Sequence, residues 1–197
     1  MTFDRLIIAT GNHGKFREFT QIIRALSGEG FAREIVFAPE VASMIVEETG
    51  RTYRENSMLK ACAWAEESGC PCLADDSGLE VDALGGAPGL YSARVVKSAG
   101  VDYATWLLSE MAGVQDRSAR FTASLALCVP DEFTLITEGC CYGTISDSPR
   151  GSNGFGYDPV FIPDGRTLTF AELDSRVKNS ISHRSNAFRK LYAHLMR

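Results

Sequence analysis

With 197 residues, 45% of them apolar and 23% charged, the chain has the composition of an ordinary globular protein long enough to bury its own core. No apolar run approaches the roughly 20 residues that span a bilayer, and the N-terminus lacks the basic-then-apolar layout of a signal peptide, so the expected setting is the cytoplasm, with no membrane partner. A formal charge of −5 argues against a protein that coats nucleic acid, although a local lysine cluster with a divalent cation could still hold a small phosphorylated ligand.

In chain order, the apolar run from Phe3 to Ala9 predicts a short strand covered on both faces, ended by Thr10, Gly11 and Asn12. Phe16, Phe19, Ile22, Ile23 and Leu26 then recur at three- and four-residue intervals, predicting a helix with Gly28 and Gly30 as stops. Arg33 to Phe37 reads as a second strand. Tyr53 to Ser68 reads as a helix with Met58, Cys62 and Ala65 among its inward positions, and "CPCLADDSG" as a strand finishing in carboxylates. Beyond the glycine-rich "LGGAPGLYSAR", Tyr103 to Met111 is helix-like.

Phe121, Ala123, Leu125, Leu127 and Val129 alternate with Arg120, Thr122, Ser124, Ala126 and Cys128, the pattern of a strand with one well-buried face. Its expected antiparallel partner begins at Phe133, which makes the sheet mixed. The "SNGFGYDP" loop follows, and Ala187, Phe188, Leu191, Tyr192 and Leu195 mark the stripe of a final helix. With no internal repeat and no linker, residues 1–197 are expected to form a single domain. The six cysteines (Cys62, Cys70, Cys72, Cys128, Cys140, Cys141) include no C-x-x-C pair and no zinc-finger spacing, and read as small, mostly buried hydrophobes in a reducing compartment.

Four polar clusters stand out. The turn from Thr10 to Lys15 joins a strand to a helix, a junction whose backbone N–H groups and helix dipole favour an anion, with Lys15 as a point charge. It lacks Walker spacing, and an Asn12 cap beside a solvated lysine is the alternative. Asp75 and Asp76 are adjacent in extended chain, where neighbouring side chains point to opposite faces, so one of them faces any given site. Carboxylates at that position suit Mg²⁺ or a base that activates water; a capped turn is the alternative. Glu47 and Glu48 form a third acidic group near Glu55, Asn56 and Lys60, of which Asn56 and Lys60 share a helix face at i, i+4. The fourth combines Phe155, Tyr157 and Asp158 in a glycine-flanked, exposed-looking loop with Lys178, His183 and Arg184. This is the composition of a nucleobase pocket, unless the loop is a hairpin whose Phe is core.

Taken in order, "ATGNHGK", "EETG", "ENSMLKA", "ADDSGLEVDALGGAPGLYSAR", "GFGYDPVF" and "KNSISHR" closely resemble the inosine triphosphate pyrophosphatase family, whose members clear ITP, dITP and XTP from the nucleotide pool. The likeness runs from Ile7 to Arg184. It implies an α/β fold with an elongated mixed sheet flanked by helices, two lobes with a central cleft, and commonly a homodimer. By the same resemblance Thr10, Gly11, Asn12, His13, Gly14, Lys15 and Lys60 bind the triphosphate, although His13 stands at a variable position. Glu47 and Asp76 hold Mg²⁺, Asp76 is the proton acceptor, and Ser77 lies beside it in the substrate site. Phe155, Gly156, Tyr157 and Asp158 form the base loop, completed by Lys178, His183 and Arg184.

Water would then attack the α-phosphorus, giving a nucleoside monophosphate and pyrophosphate. Donors on His183 or Arg184 would favour the O6 acceptor of hypoxanthine or xanthine over the amino group of adenine. Guanine shares O6, and the device that excludes it is not visible in the sequence. Two other readings compete: a pyrophosphatase for modified pyrimidine nucleotides, and a nucleotide-binding regulatory module without turnover.

Overall fold

The computed structural model describes residues 1–95 and 100–196. Its strands are β1 (Phe3–Ile8), β2 (Ala32–Phe37), β3 (Cys72–Val81), β4 (Ser118–Val129), β5 (Phe133–Ile145) and β6 (Phe161–Pro163). The helices are α1 (His13–Ser27), α2 (Tyr53–Ser68), α3 (Tyr103–Glu110), α4 (Ser175–Ile181) and α5 (His183–Leu195), with short 3₁₀ turns between them. The strands make one mixed sheet in the order β2-β1-β3-β4-β5-β6. β1 runs parallel to both neighbours, pairing Leu6 with Ile35 of β2 and Ile8 with Leu73 of β3, whereas β5 and β6 are antiparallel.

By its contacts the chain divides into two compact units. The first comprises Met1–Asp76, Ala123–Gly139 and Arg184–Arg197; the second comprises Ser77–Thr122 and Cys140–His183. In the first unit, alternate residues of each strand enter different cores. Leu6 and Ile8, Leu73, Leu125 and Leu127 meet Phe19, Ile22 and Ile23 of α1 and Phe188 and Leu191 of α5. Ile7 and Ala9, Cys72 and Ala74, and Ala126 meet Ala61, Trp64 and Ala65 of α2. Strands covered on both faces carry continuous apolar runs, which is why β1 reads that way in the sequence. In the second unit, Leu79 and Val81, Leu107 and Met111, Phe121, Val160, Phe161 and Phe170 share one core, with the Phe121 and Phe161 rings edge to face at 4.8 Å.

Several boundaries and faces differ from the sequence expectation. β3 does not finish at the carboxylates but continues through them to Val81, burying Leu79 and Val81 in the second unit. β4 is buried on both faces from Ala123 to Leu127, since α2 covers the side that its Ser and Ala residues had suggested was open. Met58 points outward, 39% exposed, and the inward face of α2 is instead made by Asn56, Ser57, Ala61, Trp64 and Ala65. Two of the cysteines, Cys72 and Cys141, are buried; the other four are half-buried.

Candidate functional site

The alternation that builds the two cores of the first unit also separates the two adjacent carboxylates. Odd positions of β3 face α1 and α5, even positions face α2, and both patterns persist past the last apolar residue. Asp75 therefore meets Lys15 of α1 at 3.1 Å and the Arg184 Nε of α5 at 3.1 Å. Asp76 meets α2, where Asn56 Nδ2 donates to its Oδ2 at 3.0 Å and the Lys60 ammonium lies 3.5 Å from its Oδ1. Both carboxylates are buried.

Each lysine has an acidic partner. Lys60 donates to Glu48 Oε1 at 2.5 Å while facing Asp76, so its ammonium sits between two carboxylates. Burial opposes that charge, but Asp76, Asp75 and Glu48 together outweigh it and raise the Lys60 pKa. Lys15 goes the other way, because burial outweighs the attraction of Asp75 and lowers its pKa. For Asp76 burial is again the largest influence and raises the pKa, against Lys60, Lys15 and the Asn56 hydrogen bond. A buried carboxylate of heightened basicity is the property a general base requires.

The opening turn is more self-contained than expected. Asn12 Oδ1 accepts from the backbone N–H groups of Gly14 and Lys15, and Thr10 Oγ1 accepts from Asn12 N–H. The turn thus combines an Asn12 cap with a lysine drawn inward to Asp75. His13 is exposed, its ring 4.5 Å from that of Phe37.

Asn56 is fully buried and acts in two directions: its Oδ1 also accepts from Gly50 N–H at 2.8 Å, tying the loop that carries Glu47 and Glu48 to α2. Gly50 is required there, since a Cβ would stand 2.6 Å from Asn56 Oδ1. Glu47 is exposed on that loop, and Glu48 is the residue that reaches Lys60. Glu55 belongs to the local cap of α2. Its Oε2 accepts from Arg51 N–H, and Thr52 Oγ1 accepts from Glu55 N–H.

Arg184 sits with the Lys15 and Asp75 group. Its guanidinium is held by Asp75 and, through Nη1, by Glu18 Oε2 at 3.2 Å. Glu18 was not singled out in the sequence. The available signal was an acidic residue on the buried stripe of α1, three positions after Lys15 and beside Phe19.

The second unit holds Ser77, Phe155 to Asp158, Lys178 and His183. Here Asp158 Oδ2 accepts from Phe155 N–H at 2.8 Å and from the Lys178 ammonium at 2.5 Å, and that ammonium lies 5.0 Å from the Phe155 ring centre. Gly154, at φ +76°, passes so close to Asp158 that a Cβ would collide with its Oδ2. Gly156 also takes a left-handed conformation, at φ +65°. The loop is less exposed than its glycines suggest. Tyr157 is buried, donates to Ser92 C=O at 3.2 Å and meets Tyr103 edge to face, leaving Phe155 as the half-buried aromatic. His183 is buried, stacked on Phe121 with centroids 4.8 Å apart, and Ser77 is half-buried on β3.

Comparison with known proteins gives a single answer. The family model described as Ham1 family matches residues 6–194. A dITP/XTP pyrophosphatase of Bacillus licheniformis is 47% identical over 193 residues, covering 95% of this chain and 96% of that one; its Bacillus subtilis counterpart is 44% identical over 196 residues, covering 94% and 93%. Among solved structures, a HAM1 protein from Coxiella burnetii superposes with a TM-score of 0.82 at 36% identity, covering 100% of this chain and 99% of that one. The Ham1 protein of Staphylococcus aureus gives 0.80 at 36% identity, covering 98% of each. Together with the mixed six-stranded sheet and the strand-borne acid pair, these matches establish that the chain belongs to the Ham1 family.

Proposed function

We propose that the protein hydrolyses non-standard purine nucleoside triphosphates of the ITP, dITP and XTP class to the monophosphate and pyrophosphate, clearing them from the nucleotide pool. The observation that carries this reading is Asp76: a buried strand carboxylate of raised basicity, oriented by Asn56 and flanked by Lys60, in a chain similar over nearly its whole length to dITP/XTP pyrophosphatases. Asp76 takes or aligns the proton of the attacking water, and Lys15 and Lys60 face the negative charge that grows on the departing pyrophosphate. Thr10 to Lys15 bind the triphosphate. Phe155 to Asp158, with Ser77, Lys178, His183 and Arg184, bind the rest of the nucleotide.

Carboxylates of this kind suit a hard divalent cation, while among the described residues no three ligating side chains stand together as a ready cation site. Lys60 already places a cation between Glu48 and Asp76, and oxygen ligands of this kind, completed by phosphate and water, suit Mg²⁺. Asp76 and Glu47 would hold the ion, with Glu48 adjoining, and when bound it would neutralise charge on the phosphate oxygens. A homodimeric, cytoplasmic enzyme is the accompanying expectation; no helix among the described residues is long and apolar enough to cross a membrane.

The test is a screen of nucleoside triphosphates with product identification. ITP, dITP or XTP should yield monophosphate and pyrophosphate far faster than ATP or GTP, and Asp76→Asn should abolish turnover while sparing nucleotide binding. A preference for modified pyrimidine nucleotides, binding without turnover, or orthophosphate as the first product would overturn the assignment.

A further inference from the structure

The even-numbered face of β4 carries a second feature that the nucleotide chemistry does not use. Cys128 lies on that face and projects toward the core covered by α2, whose Cys62 approaches from the helix side. Both thiols contact one hydroxyl, that of Thr134 on β5, at 3.7 Å for Cys62 and 3.5 Å for Cys128, so the two sulfurs flank the same oxygen. Both residues are half-buried and unlinked, and both line the same surface pocket of about 610 Å³. Cys72 of β3, in the core under α2, is fully buried, and burial pushes it up to about 12, leaving it a poor nucleophile; burial also raises the Cys62 pKa, so any attack by that thiol starts from its minor thiolate fraction.

We infer that Cys62 and Cys128 form a reversible dithiol–disulfide modification site, oxidised by a small uncharged hydroperoxide that enters this pocket. The pocket also displays Glu66, Asp131 and Glu132, an acidic rim that disfavours anionic disulfides such as oxidised glutathione and leaves a neutral oxidant unhindered. One thiol, as thiolate, attacks the peroxide O–O bond: an S–O bond forms, and the other oxygen leaves as hydroxide and takes up a proton to become water. The second thiol then attacks the sulfenic sulfur, the S–S bond forms, the S–O bond breaks and a second water leaves. Two thiols are oxidised and one peroxide is reduced to two waters. Because the partners sit on a helix and on a strand far apart in sequence, the bond would tie α2 covalently to β4. A thiol reductant reverses it.

The experiment treats the folded full-length protein with hydrogen peroxide, blocks the remaining thiols, and maps peptides without reduction. The expected result is one linked pair joining the Cys62 and Cys128 peptides, with an intact mass lower by two hydrogens, full reversal by dithiothreitol, and slower formation with oxidised glutathione. The link should be absent from Cys62→Ser and Cys128→Ser, both of which should retain wild-type circular dichroism and nucleotide turnover. Sulfinic or sulfonic acid on either residue without a linked peptide would overturn the inference, as would a link that persists in either variant by recruiting Cys70. Failure of the nucleotide screen would leave this result untouched, because the mapping does not depend on turnover.

Discussion

Removing Asn56 separates the loop of Glu47 and Glu48 from the acid it is meant to serve. In Asn56→Ala the buried Asp76 carboxylate loses a charge-assisted donor at 3.0 Å, a loss of about 1.5–3 kcal/mol, and Gly50 N–H loses its acceptor at 2.8 Å, costing a further ~1–3 kcal/mol if water does not replace it. The sum, roughly 2.5–6 kcal/mol, corresponds to a fall of about 5–24 °C in Tm for a chain of this size. If orientation of Asp76 is what Asn56 contributes to turnover, kcat/KM for ITP should drop by about 10–100-fold, the equivalent of ~1.4–2.8 kcal/mol in the transition state.

Gly50→Ala attacks the same hub from the other side. Its Cβ collides with Asn56 Oδ1 while the Asn56 to Asp76 bond can persist. The single and double variants therefore form a cycle, measured by thermal melting and steady-state pyrophosphate release, in which the stability effects must be non-additive by at least ~1 kcal/mol. Additive effects would refute the idea of a shared hub. Wild-type kcat/KM in Asn56→Ala would refute the positioning of Asp76 by Asn56.

The other expectations follow from single contacts. Glu18→Ala removes one of the carboxylates that hold the buried Arg184 guanidinium and should cost about 3–5 kcal/mol in denaturant melts, the usual penalty for breaking a buried ion pair. Gly154→Ala should displace Asp158 from Phe155 N–H and Lys178, raising KM for ITP with little change in binding of free pyrophosphate by calorimetry. Glu47→Gln should raise the Mg²⁺ concentration needed for half-maximal rate more than Glu48→Gln does, and Glu48→Gln should chiefly weaken the hold on Lys60. Burial pushes the thiols of Cys72 and Cys141 up to about 12, so at about pH 9 only about one in a thousand is thiolate, and native-state alkylation should spare both. As both values are raised on folding, their contribution to stability is complete below the ordinary thiol pKa and is lost as pH climbs toward 12, which alkaline melts would register.

The fold was legible wherever one physical rule dominated. α2 matches its expected limits at both ends, because Thr52 caps it and Gly69 ends it, and the stripes of α1 and α5 lie in the core as their spacing required. The continuation of β3 was hidden because Asp, Asp, Ser and Gly are turn residues by local propensity. Here burial of Leu79 and Val81 and two sets of cationic partners override that propensity. The inward turn of Tyr157 was equally hidden, since its hydrogen bond to Ser92 joins residues far apart in the chain. In the site, the opposite facing of Asp75 and Asp76 could be foreseen from the pleat alone. That Arg184 would meet Asp75 and Glu18 could not, because it requires knowing that α1 and α5 cover the same face.

The pleat also explains how two identical side chains, adjacent in one strand, acquire different chemistry. Asp75 faces two cations, Lys15 and Arg184, at 3.1 Å each, and works as an anchor that fixes a lysine of the opening turn and the first turn of α5. Asp76 faces a neutral amide and one ammonium that Glu48 holds more closely than it does, so burial is not fully offset and its basicity rises. An ion pair as tight as those on Asp75 would lower that basicity, and loss of Lys60, which opposes the effect of burial, would raise it further. The sharing of Lys60 between Glu48 and Asp76 sets the intermediate condition. Glu48 in turn rides on the loop that Asn56 ties down through Gly50, and the same Asn56 orients Asp76. The base, its countercharge and the acidic loop are thus adjusted through one buried amide on α2.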